Sequence, residues 1–274
     1  MVIFSRSIRR FFIAIIFLVI FSLIGFGLKK VLTPVSTCTD GIQNGQEEGA
    51  DCGLVACGKE CEPELAPLRV VSTALIQAGE RDYDFIVEVA NPNKEFGASE
   101  VAYELILFNG DNTILSKREG FFYILSNQTK FVILPFLTAE RNVSKRDFKI
   151  KSVKWQEINL LEDINFIIRG ENYSVLDGGA SSVLEAGVLN NSDFDFETVD
   201  IDIVLRDSRG EILSVNKSEI RTFLAHTERH FKANWPFTLG GQVVKVEIFP
   251  STNLFKNSNF LKRYGSEVEK FQQY

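Results

Sequence analysis

The apolar residues of the chain form one continuous N-terminal segment and, further on, many short alternating runs. Residues 11–28 contain no charged side chain and only one polar side chain, that of Ser22. Since a helix rises ~1.5 Å per residue, this segment would span roughly 27 Å, close to the thickness of a bilayer core. Core helices of soluble proteins are rarely apolar on every face. The pattern therefore predicts a transmembrane helix over residues 11–28.

The residues on either side of this segment bear on its processing and orientation. Three arginines lie within residues 1–10, and a cleaved signal peptide would carry a basic region of this kind. The apolar segment is longer than the usual core of a signal peptide, and Lys29 and Lys30 follow it without a good cleavage site. We therefore expect an uncleaved anchor in the cell membrane. The excess of positive charge before the helix favours residues 1–10 in the cytoplasm and the rest of the chain outside it.

Residues 68–250 show short runs in which apolar and polar side chains alternate. Turn sequences such as Asn91-Pro92-Asn93 separate these runs. A period of two at this spacing is typical of antiparallel all-β sandwiches. The clearest runs are residues 70–76, 85–89, 101–108 and 131–134.

The same pattern occurs a second time, about 100 residues later. A constant offset indicates a tandem duplication. We predict two domains, residues 68–157 and 158–250, each of the size of an immunoglobulin-like sandwich. The matched positions include Val89 with Val188, Asn91 with Asn190, Val101 with Val199, Leu105 with Ile203, and Phe131 with Phe231.

Alternation also assigns the strand residues to faces. Glu104 and Asp202 should meet water, because a buried unpaired carboxylate is very costly. Ile106 and Val204 lie on the same outer faces, so we expect those faces to be partly covered near the strand end. The residues predicted to point inward are Val101, Tyr103, Leu105 and Leu107 in the first repeat and Val199, Ile201, Ile203 and Leu205 in the second.

The chain has four cysteines, Cys38, Cys52, Cys57 and Cys61, all within the segment 29–67. A short, polar, glycine-rich segment cannot bury a core, so disulfides or a metal must hold it. Zinc sites usually pair cysteines at tight, regular spacing, whereas the gaps here are 13, 4 and 3 residues. We therefore predict two disulfides, and three pairings are possible. The segment ends in a stiff spacer that contains two prolines.

The cysteine segment resembles a known module. The pattern Cys-x-Asp-Gly-Ile-x-Asn-Gly-x-Glu-x-Gly-x-Asp-Cys-Gly, followed by two further cysteines, is similar to a short module of secreted and surface-anchored microbial proteins. That module usually continues with a second Gly, where this chain has Leu54, and ends Cys-x-x-Cys, where three residues separate Cys57 from Cys61. The resemblance implies an exported protein and no particular activity.

The second repeat resembles a known domain family. An alternating strand over residues 199–205, the turn Asp207-Ser208-Arg209-Gly210 and a second strand from Ile212 are similar to the FxLYD family of β-sandwich domains. The first repeat has Asn109-Gly110-Asp111 at the turn. The family has no known catalytic residues, so the resemblance implies a fold and no site residues.

Two sets of polar residues could be taken for metal sites. Oxygen atoms of Asp40, Asn44, Glu47 and Asp51 could bind Ca²⁺, but their spacing is not that of an EF-hand, and such residues commonly cap turns. The acidic run over residues 193–202 alternates with apolar residues, which is typical of a strand with one charged face. We expect no metal at either place.

Charge and composition argue against several function classes. The net charge is −6, and without the three N-terminal arginines it is −6 − 3 = −9, which disfavours nucleic acid and anionic lipid as partners. His226 and His230 have the spacing of zinc ligands on a helix, but they lie in a predicted strand and lack the Glu of an HExxH motif. We predict no catalytic residue and no cofactor, and therefore not an enzyme.

The order of segments suggests two kinds of function. We expect a single-pass membrane protein whose outer domains bind a protein or surface ligand through sandwich loops or a sheet edge. The alternative is a component of a membrane or envelope assembly that contacts other membrane proteins. Residues 251–274 are expected to form a loose polar tail with at most one helical turn.

Overall fold

The described residues belong to two compact units, which divide the chain between Glu64 and Leu65. The first unit contains helix α1 (Arg6–Leu32) and the short helix α2 (Leu54–Cys57). The second contains the β strands. The predicted segments 1–10 and 251–274, and the boundary between the two repeats, lie partly outside the described residues. The computed structural model describes residues 6–32, 35–79, 81–139, 142–158 and 164–264.

Helix α1 contains the predicted apolar segment and extends beyond it at both ends. Between Arg10 and Lys29 it has a mean hydropathy of 2.9 over 20 residues, and none of this stretch is buried by the rest of the protein. Within the described chain it is the one helix long and apolar enough to cross a membrane, by length and composition. A signal sequence near an N-terminus has the same two properties.

Each repeat consists of six strands in two three-stranded antiparallel sheets. The strand order is β1-β2-β5 and β4-β3-β6 in the first repeat, and β7-β8-β11 and β10-β9-β12 in the second. The two orders are identical once six is subtracted from each number of the second, so the sequence repeat corresponds to a repeated topology. The strands are β1 Arg69–Gln77, β2 Asp82–Ala90, β3 Phe96–Phe108, β4 Ile114–Ile124, β5 Thr129–Thr138, β6 Lys145–Glu157, β7 Phe166–Leu176, β8 Ser181–Asn190, β9 Phe196–Arg206, β10 Ile212–Phe223, β11 Glu228–Trp235 and β12 Lys245–Ser251.

Each repeat encloses a hydrophobic core between its two sheets. All eight residues predicted to point inward from β3 and β9 are buried, which confirms the predicted faces. Alternate residues of β2 and β8 face them across the core, as the period of two requires. These residues are Phe85, Val87 and Val89 in the first repeat and Leu184, Ala186 and Val188 in the second.

A buried asparagine at the end of the second strand is common to both repeats. The amide nitrogen of Asn91 donates to the carbonyl oxygens of Phe96 and Leu125, each at 2.8 Å. Asn190 donates in the same way to Phe194 at 2.8 Å and Leu224 at 3.1 Å. Each side chain thereby joins two loops whose carbonyl groups would otherwise lack partners. This explains why the sequence repeats Val-x-Asn at this point.

The alignment of Phe131 with Phe231 is wrong by one residue. According to the pairing of β5 with β2 and of β11 with β8, Val132 occupies the position of Phe231. Phe231 lies in the core, whereas Phe131 points outward, with its ring centroid 5.0 Å from that of Phe249. A shift of one residue exchanges the two faces of a strand.

The two repeats pack through the outer faces of two sheets. Sheet β1-β2-β5 of the first repeat lies against sheet β10-β9-β12 of the second. This contact overturns the prediction that Asp202 meets water, because its exposed fraction is only 3%. The cover expected near Val204 is complete, since that residue has no exposed surface. The buried apolar residues of the junction are Ile76, Ile86, Ile133, Val204 and Val215.

The residues from the end of β12 to Tyr264 do not form a loose tail. A 3₁₀ turn (Leu254–Lys256) and helix α3 (Ser258–Tyr264) follow the strand. Leu254, Phe255 and Phe260 are buried in the core cluster of the second repeat. Phe255 also approaches the first repeat, where a Cβ atom on Gly97 would lie 2.6 Å from its ring. A helical turn was expected in this segment, but the burial of its side chains was not, because so short a segment shows no periodicity.

Candidate functional site

The disulfide module, defined here as residues 35–61, has two interleaved crosslinks. Cys38 is bonded to Cys57 and Cys52 to Cys61, with sequence separations of 19 and 9. No cysteine among the described residues is free. The sequence predicted two bridges and left three pairings open, and the structure selects the interleaved one. Such crosslinks stabilise a segment that is too small to bury a core.

The acidic side chains of the module cap turns. The carboxylate of Asp51 accepts hydrogen bonds from the backbone nitrogens of Asp40 at 2.9 Å and Gly41 at 2.7 Å. Asp40 accepts from the side chains of Thr37 and Asn44. These donors, first among them the Thr37 hydroxyl, hold the pKa of Asp40 below its usual value. The carboxylates are therefore occupied by local donors, as expected of turn residues.

Glu47 lies beside the Cys38–Cys57 bridge. Its carboxylate and the two sulfur atoms lie within 4.8 Å of one another, and the side chain is buried. One carboxylate oxygen accepts from the backbone nitrogen of Asn44 at 3.0 Å. Metals bind thiolates, and the two sulfurs are bonded to each other. The group is therefore not a metal site while the bridge is intact.

The structure places the two histidines against different carboxylates. His226 lies in the turn before β11, with Nε2 at 2.9 Å from Oδ1 of Asp193. His230 lies within β11, with Nε2 at 3.7 Å from Oε1 of Glu228. Both imidazoles are exposed. Each pair is an ordinary surface contact and does not form the two-histidine face that a zinc helix would provide.

The junction between the repeats contains charged groups that sequence reasoning missed. The ammonium group of Lys130 in β5 lies 3.4 Å from the ring centroid of Tyr123 in β4, as in a cation–π interaction. The hydroxyl of Tyr123 is 3.2 Å from the Ser251 hydroxyl at the end of β12. Asp202 lies in the same region, with Lys217 Nζ at 3.8 Å, too long for a hydrogen bond.

Burial shifts the pKa values of these groups towards their neutral forms. Loss of solvent lowers the pKa of Lys130 to about 8, an effect that the negative charges of Asp202 and Asp200 oppose. Burial likewise raises the pKa of Asp202, with Lys217 and Lys130 opposing the shift. The Oδ1 atom of Asp202 has no hydrogen-bond partner among the described residues. The first repeat therefore excludes water from this carboxylate, and protein donors do not replace all the hydrogen bonds that water would make.

A groove of 570 Å³ opens along the junction. It lies between residues 72–77 of β1 and residues 210–213 of the second repeat. Exposed strand edges can accept an added strand, but here the carbonyl oxygen of Thr73 accepts from Arg146 at 2.9 Å. Arg206 at the rim is bonded to Glu247 at 2.6 Å. These two polar groups of the groove are thus already engaged within the protein.

In the second repeat the outer face of sheet β10-β9-β12 is buried in the junction. The corresponding face in the first repeat, on sheet β4-β3-β6, is open and charged. Lys117 Nζ lies 2.7 Å from both Glu104 and Glu119, and Lys151 lies 3.5 Å from Glu104. The lysines, chiefly Lys117, keep the pKa of Glu104 below its usual value. This face matches the alternation predicted from the sequence.

Comparison with known proteins does not assign a family. The chain matches no model of a protein family and no curated protein. Among solved structures it is similar to the crystal structure of red sea bream transglutaminase, at a TM-score of 0.23 and 10% identity. The match covers 72% of this chain and 30% of that chain, so this chain spans less than a third of its length. A likeness at this level carries no argument about fold or activity.

Proposed function

We propose that the chain is a single-pass membrane protein whose disulfide module and β repeats lie outside the cytoplasm, with a non-enzymatic binding or structural role at the cell surface. The observation that carries the proposal is the crosslinked module that follows an exposed apolar helix within the same unit. Disulfides persist in oxidising compartments and are rare in the cytosol. A helix with apolar side chains on all its exposed faces is stable in lipid and unfavourable in water.

The character of the repeats supports a binding or structural role. They are two all-β units of one topology, and we assign them to the immunoglobulin-like, FxLYD-related sandwiches as a hypothesis that rests on the sequence pattern. Both histidines contact neighbouring carboxylates, and Asp51 and Glu47 accept hydrogen bonds from backbone amides, which is the arrangement of structural groups. Binding through loops or faces of a rigid β scaffold needs no such chemistry.

The proposal is tested by labelling single added cysteines in intact cells. Ser208→Cys lies in the exposed turn between β9 and β10, and Ser5→Cys lies before the helix. A membrane-impermeant maleimide should label the Ser208→Cys protein in intact cells and the Ser5→Cys protein only after lysis. Labelling of Ser5→Cys alone in intact cells would reverse the orientation. Loss of residue 5 from the mature protein would show that the segment is a signal peptide.

A role in a membrane assembly is the second candidate, and helix α1 is the observation that favours it. The described side chains of α1 are exposed from Arg10 to Lys29, and an exposed apolar helix surface of this kind can pack against other helices in a membrane. Purification from detergent extracts should then retain a membrane partner. Replacing the apolar segment with an unrelated transmembrane sequence should release that partner, whereas a surface-binding role would survive the exchange.

A further inference from the structure

The groove at the junction follows the free edge of β1 along residues 72–77. β1 is an edge strand of sheet β1-β2-β5, so only one of its two sides is paired, with β2. An edge strand presents a row of backbone N–H and C=O groups that can pair with another chain. Residues 210–213 and Gly240 of the second repeat line the same groove. The edge of β1 therefore lies along a groove that both repeats form.

The hydrogen bonds of the β1–β2 hairpin show which backbone groups of β1 point away from β2. Directly after Gln77, the last residue of β1, the backbone nitrogen of Ala78 donates to the carbonyl oxygen of Asp82 at 2.8 Å. Hydrogen-bonded and non-hydrogen-bonded positions alternate along an antiparallel pair. Thr73, Leu75 and Gln77 are therefore the positions whose N–H and C=O groups point to the free edge.

Of these three residues, Thr73 has a partner at the free edge. Its carbonyl oxygen accepts from Arg146 Nη2 at 2.9 Å, and its hydroxyl oxygen accepts from Arg146 Nε at 3.1 Å. In the described part of the chain, no hydrogen bond from a loop, a side chain or a further strand reaches the edge-facing backbone of Leu75 or Gln77. Leu75 is partly exposed and Gln77 is exposed, so an incoming chain can approach them.

The features of β1 that oppose pairing lie near its start. Natural edge strands are commonly protected by a β-bulge, a charged side chain or a proline. The bulge of β1 lies between Val70 and Ser72. From Thr73 to Gln77 the strand contains neither a charged residue nor a proline. This part of the edge therefore lacks the usual protection within the strand itself.

The surroundings of the edge determine which side chains an added strand would carry. Successive side chains of a strand point to opposite faces of the sheet. On the face towards the second repeat, Ile76, Phe131 and Ile212 give the groove apolar walls. On the other face, Arg146 contacts the Thr73 hydroxyl, and no ion pair joins this exposed arginine to a described carboxylate. An added strand would thus meet apolar surface on one face and a positive charge on the other.

We propose that the edge of β1 from Thr73 to Gln77 binds an extended peptide segment of a partner protein by strand addition, with apolar side chains in the junction groove and an acidic side chain beside Arg146. Backbone hydrogen bonds to Leu75 and Gln77 hold the segment, and its alternate side chains provide specificity. The inference rests on the proposed binding role and deepens it by naming the chemistry of the partner.

A short peptide with this alternation tests the site. In an antiparallel register, the peptide Thr-Val-Thr-Val-Glu places its valines opposite Ile76 and Ala74 and its glutamate opposite Thr73. A fluorescein-labelled form would be titrated with the full chain in phosphatidylcholine nanodiscs and followed by fluorescence polarisation, with empty nanodiscs as the blank. We expect a Kd on the order of 0.1 mM.

Two altered peptides separate charge from backbone pairing. Replacing the glutamate with lysine should weaken binding at least about tenfold, because the lysine would lie beside Arg146. N-methylation of the central threonine, which faces Leu75, should also weaken binding at least about tenfold, because it removes a donor and obstructs the strand pairing. The second comparison leaves every side chain of the peptide unchanged.

Variants of the chain test the same two contacts from the other side. Arg146→Glu should reverse the preference, so that the lysine peptide binds more tightly than the glutamate peptide. A purely structural role of Arg146 would weaken both peptides alike. Lys154→Glu, at an exposed position of the same strand β6, is the matched control and should leave both affinities unchanged.

The backbone contact is tested at the exposed end of β1. Gln77→Pro removes an N–H that points away from β2, so the pairing with β2 is retained and the affinity for the glutamate peptide should fall about tenfold. Gln77→Ala keeps this N–H and should bind like the unaltered chain. If Gln77→Pro does not fold, the N-methylated peptide tests the same pairing without any change to the protein.

Four results would each overturn the proposal. The first is no saturable binding of the glutamate peptide, and the second is equal affinity for the glutamate and lysine peptides in the unaltered chain. The third is undiminished binding of the N-methylated peptide. The fourth is equal affinity of folded Gln77→Pro and Gln77→Ala for the glutamate peptide. Binding by the purified chain does not depend on its orientation in a cell, so this proposal and the cysteine-labelling test of topology can fail separately.

Discussion

The outer face of β3 in the first repeat and the outer face of β9 in the second occupy the same place in the same topology, yet one is open and the other buried. Lys117 pairs with Ile106 on the open face, and Val215 pairs with Val204 at the corresponding positions of the buried one. One lysine-to-valine difference thus adds an apolar contact at the centre of the junction. The comparison shows that the docked and the open face differ in charge at corresponding central positions.

The other sheet of each repeat shows a similar difference, but here the apolar residues belong to the first repeat and the charged ones to the second. Ile86 pairs with Ile133 on the face of the first repeat that enters the junction. The corresponding pair in the second repeat is Glu185 with Lys232, whose side chains form an exposed salt bridge at 2.9 Å. Both free faces of the tandem are therefore charged, and both faces in contact are apolar at their centres. The terminal units of repeat proteins likewise need polar outer faces for solubility.

The largest change in stability should come from a substitution that places in the junction the charged residue found on the open face of the second repeat. Ile86→Glu introduces the residue found at position 185, and we expect it to reduce the free energy of unfolding by about 3 kcal/mol or more, because the carboxylate is buried without a partner. Glu185→Ile is the matched control and should change stability by no more than about 0.5 kcal/mol. Urea unfolding of the full chain in detergent measures both. Equal effects of the two substitutions would contradict the assigned junction.

The second prediction concerns a feature that the two repeats share. Asn91→Ala and Asn190→Ala should each cost about 2–3 kcal/mol, since each leaves two loop carbonyls without their donor. Asn172→Ala, at an exposed position in β7, should have little effect in the same denaturation experiment. A large loss in only one repeat would show that the asparagines are not equivalent.

The third prediction is a pH dependence that belongs to the junction alone. The pKa of Lys130 is lowered from 10.5 to about 8, so the unfolded chain binds more protons than the folded chain between these values. Stability from this group should therefore rise as the pH increases from about 8 to 10. The difference between the unaltered chain and Lys130→Met, measured by thermal melts across this range, isolates the contribution. If the difference in stability does not change with pH, Lys130 is exposed to solvent in the folded chain.

The smallest effects should come from the two equivalent carboxylates. Asp202→Asn should leave stability unchanged or raise it at neutral pH, because burial raises the pKa of Asp202 and the ionised form is then the costly one. Glu104→Gln should lower stability slightly at low salt and not at high salt, as expected for exposed ion pairs. Urea midpoints at two salt concentrations distinguish the sites. A loss in Asp202→Asn that exceeds the loss in Glu104→Gln would argue against an unfavourable buried charge.

Residues with a clear local pattern could be predicted, and residues whose environment comes from distant chain segments could not. The inward faces of β3 and β9 followed from a period of two, and the need for crosslinks followed from four cysteines in a segment without a core. The pairing of Cys38 with Cys57 could not be predicted, because it depends on how turns around Asp40 and Asp51 fold back.

The amino-acid sequence by itself determined the apolar helix, the strands and their repeat, since these depend on contacts within a few residues or on side-chain periodicity. Only the tertiary structure decided which sheet face lies in water. Asp202 and Glu104 have the same alternating surroundings along the chain, yet Asp202 is covered by β strands that precede it by more than 60 residues. Similarly, Phe255 and Phe260 lie in a segment too short for a pattern, and their burial depends on a core built elsewhere. The local sequence determines where a strand forms and which side chains share a face, whereas the solvent exposure of that face depends on the whole fold.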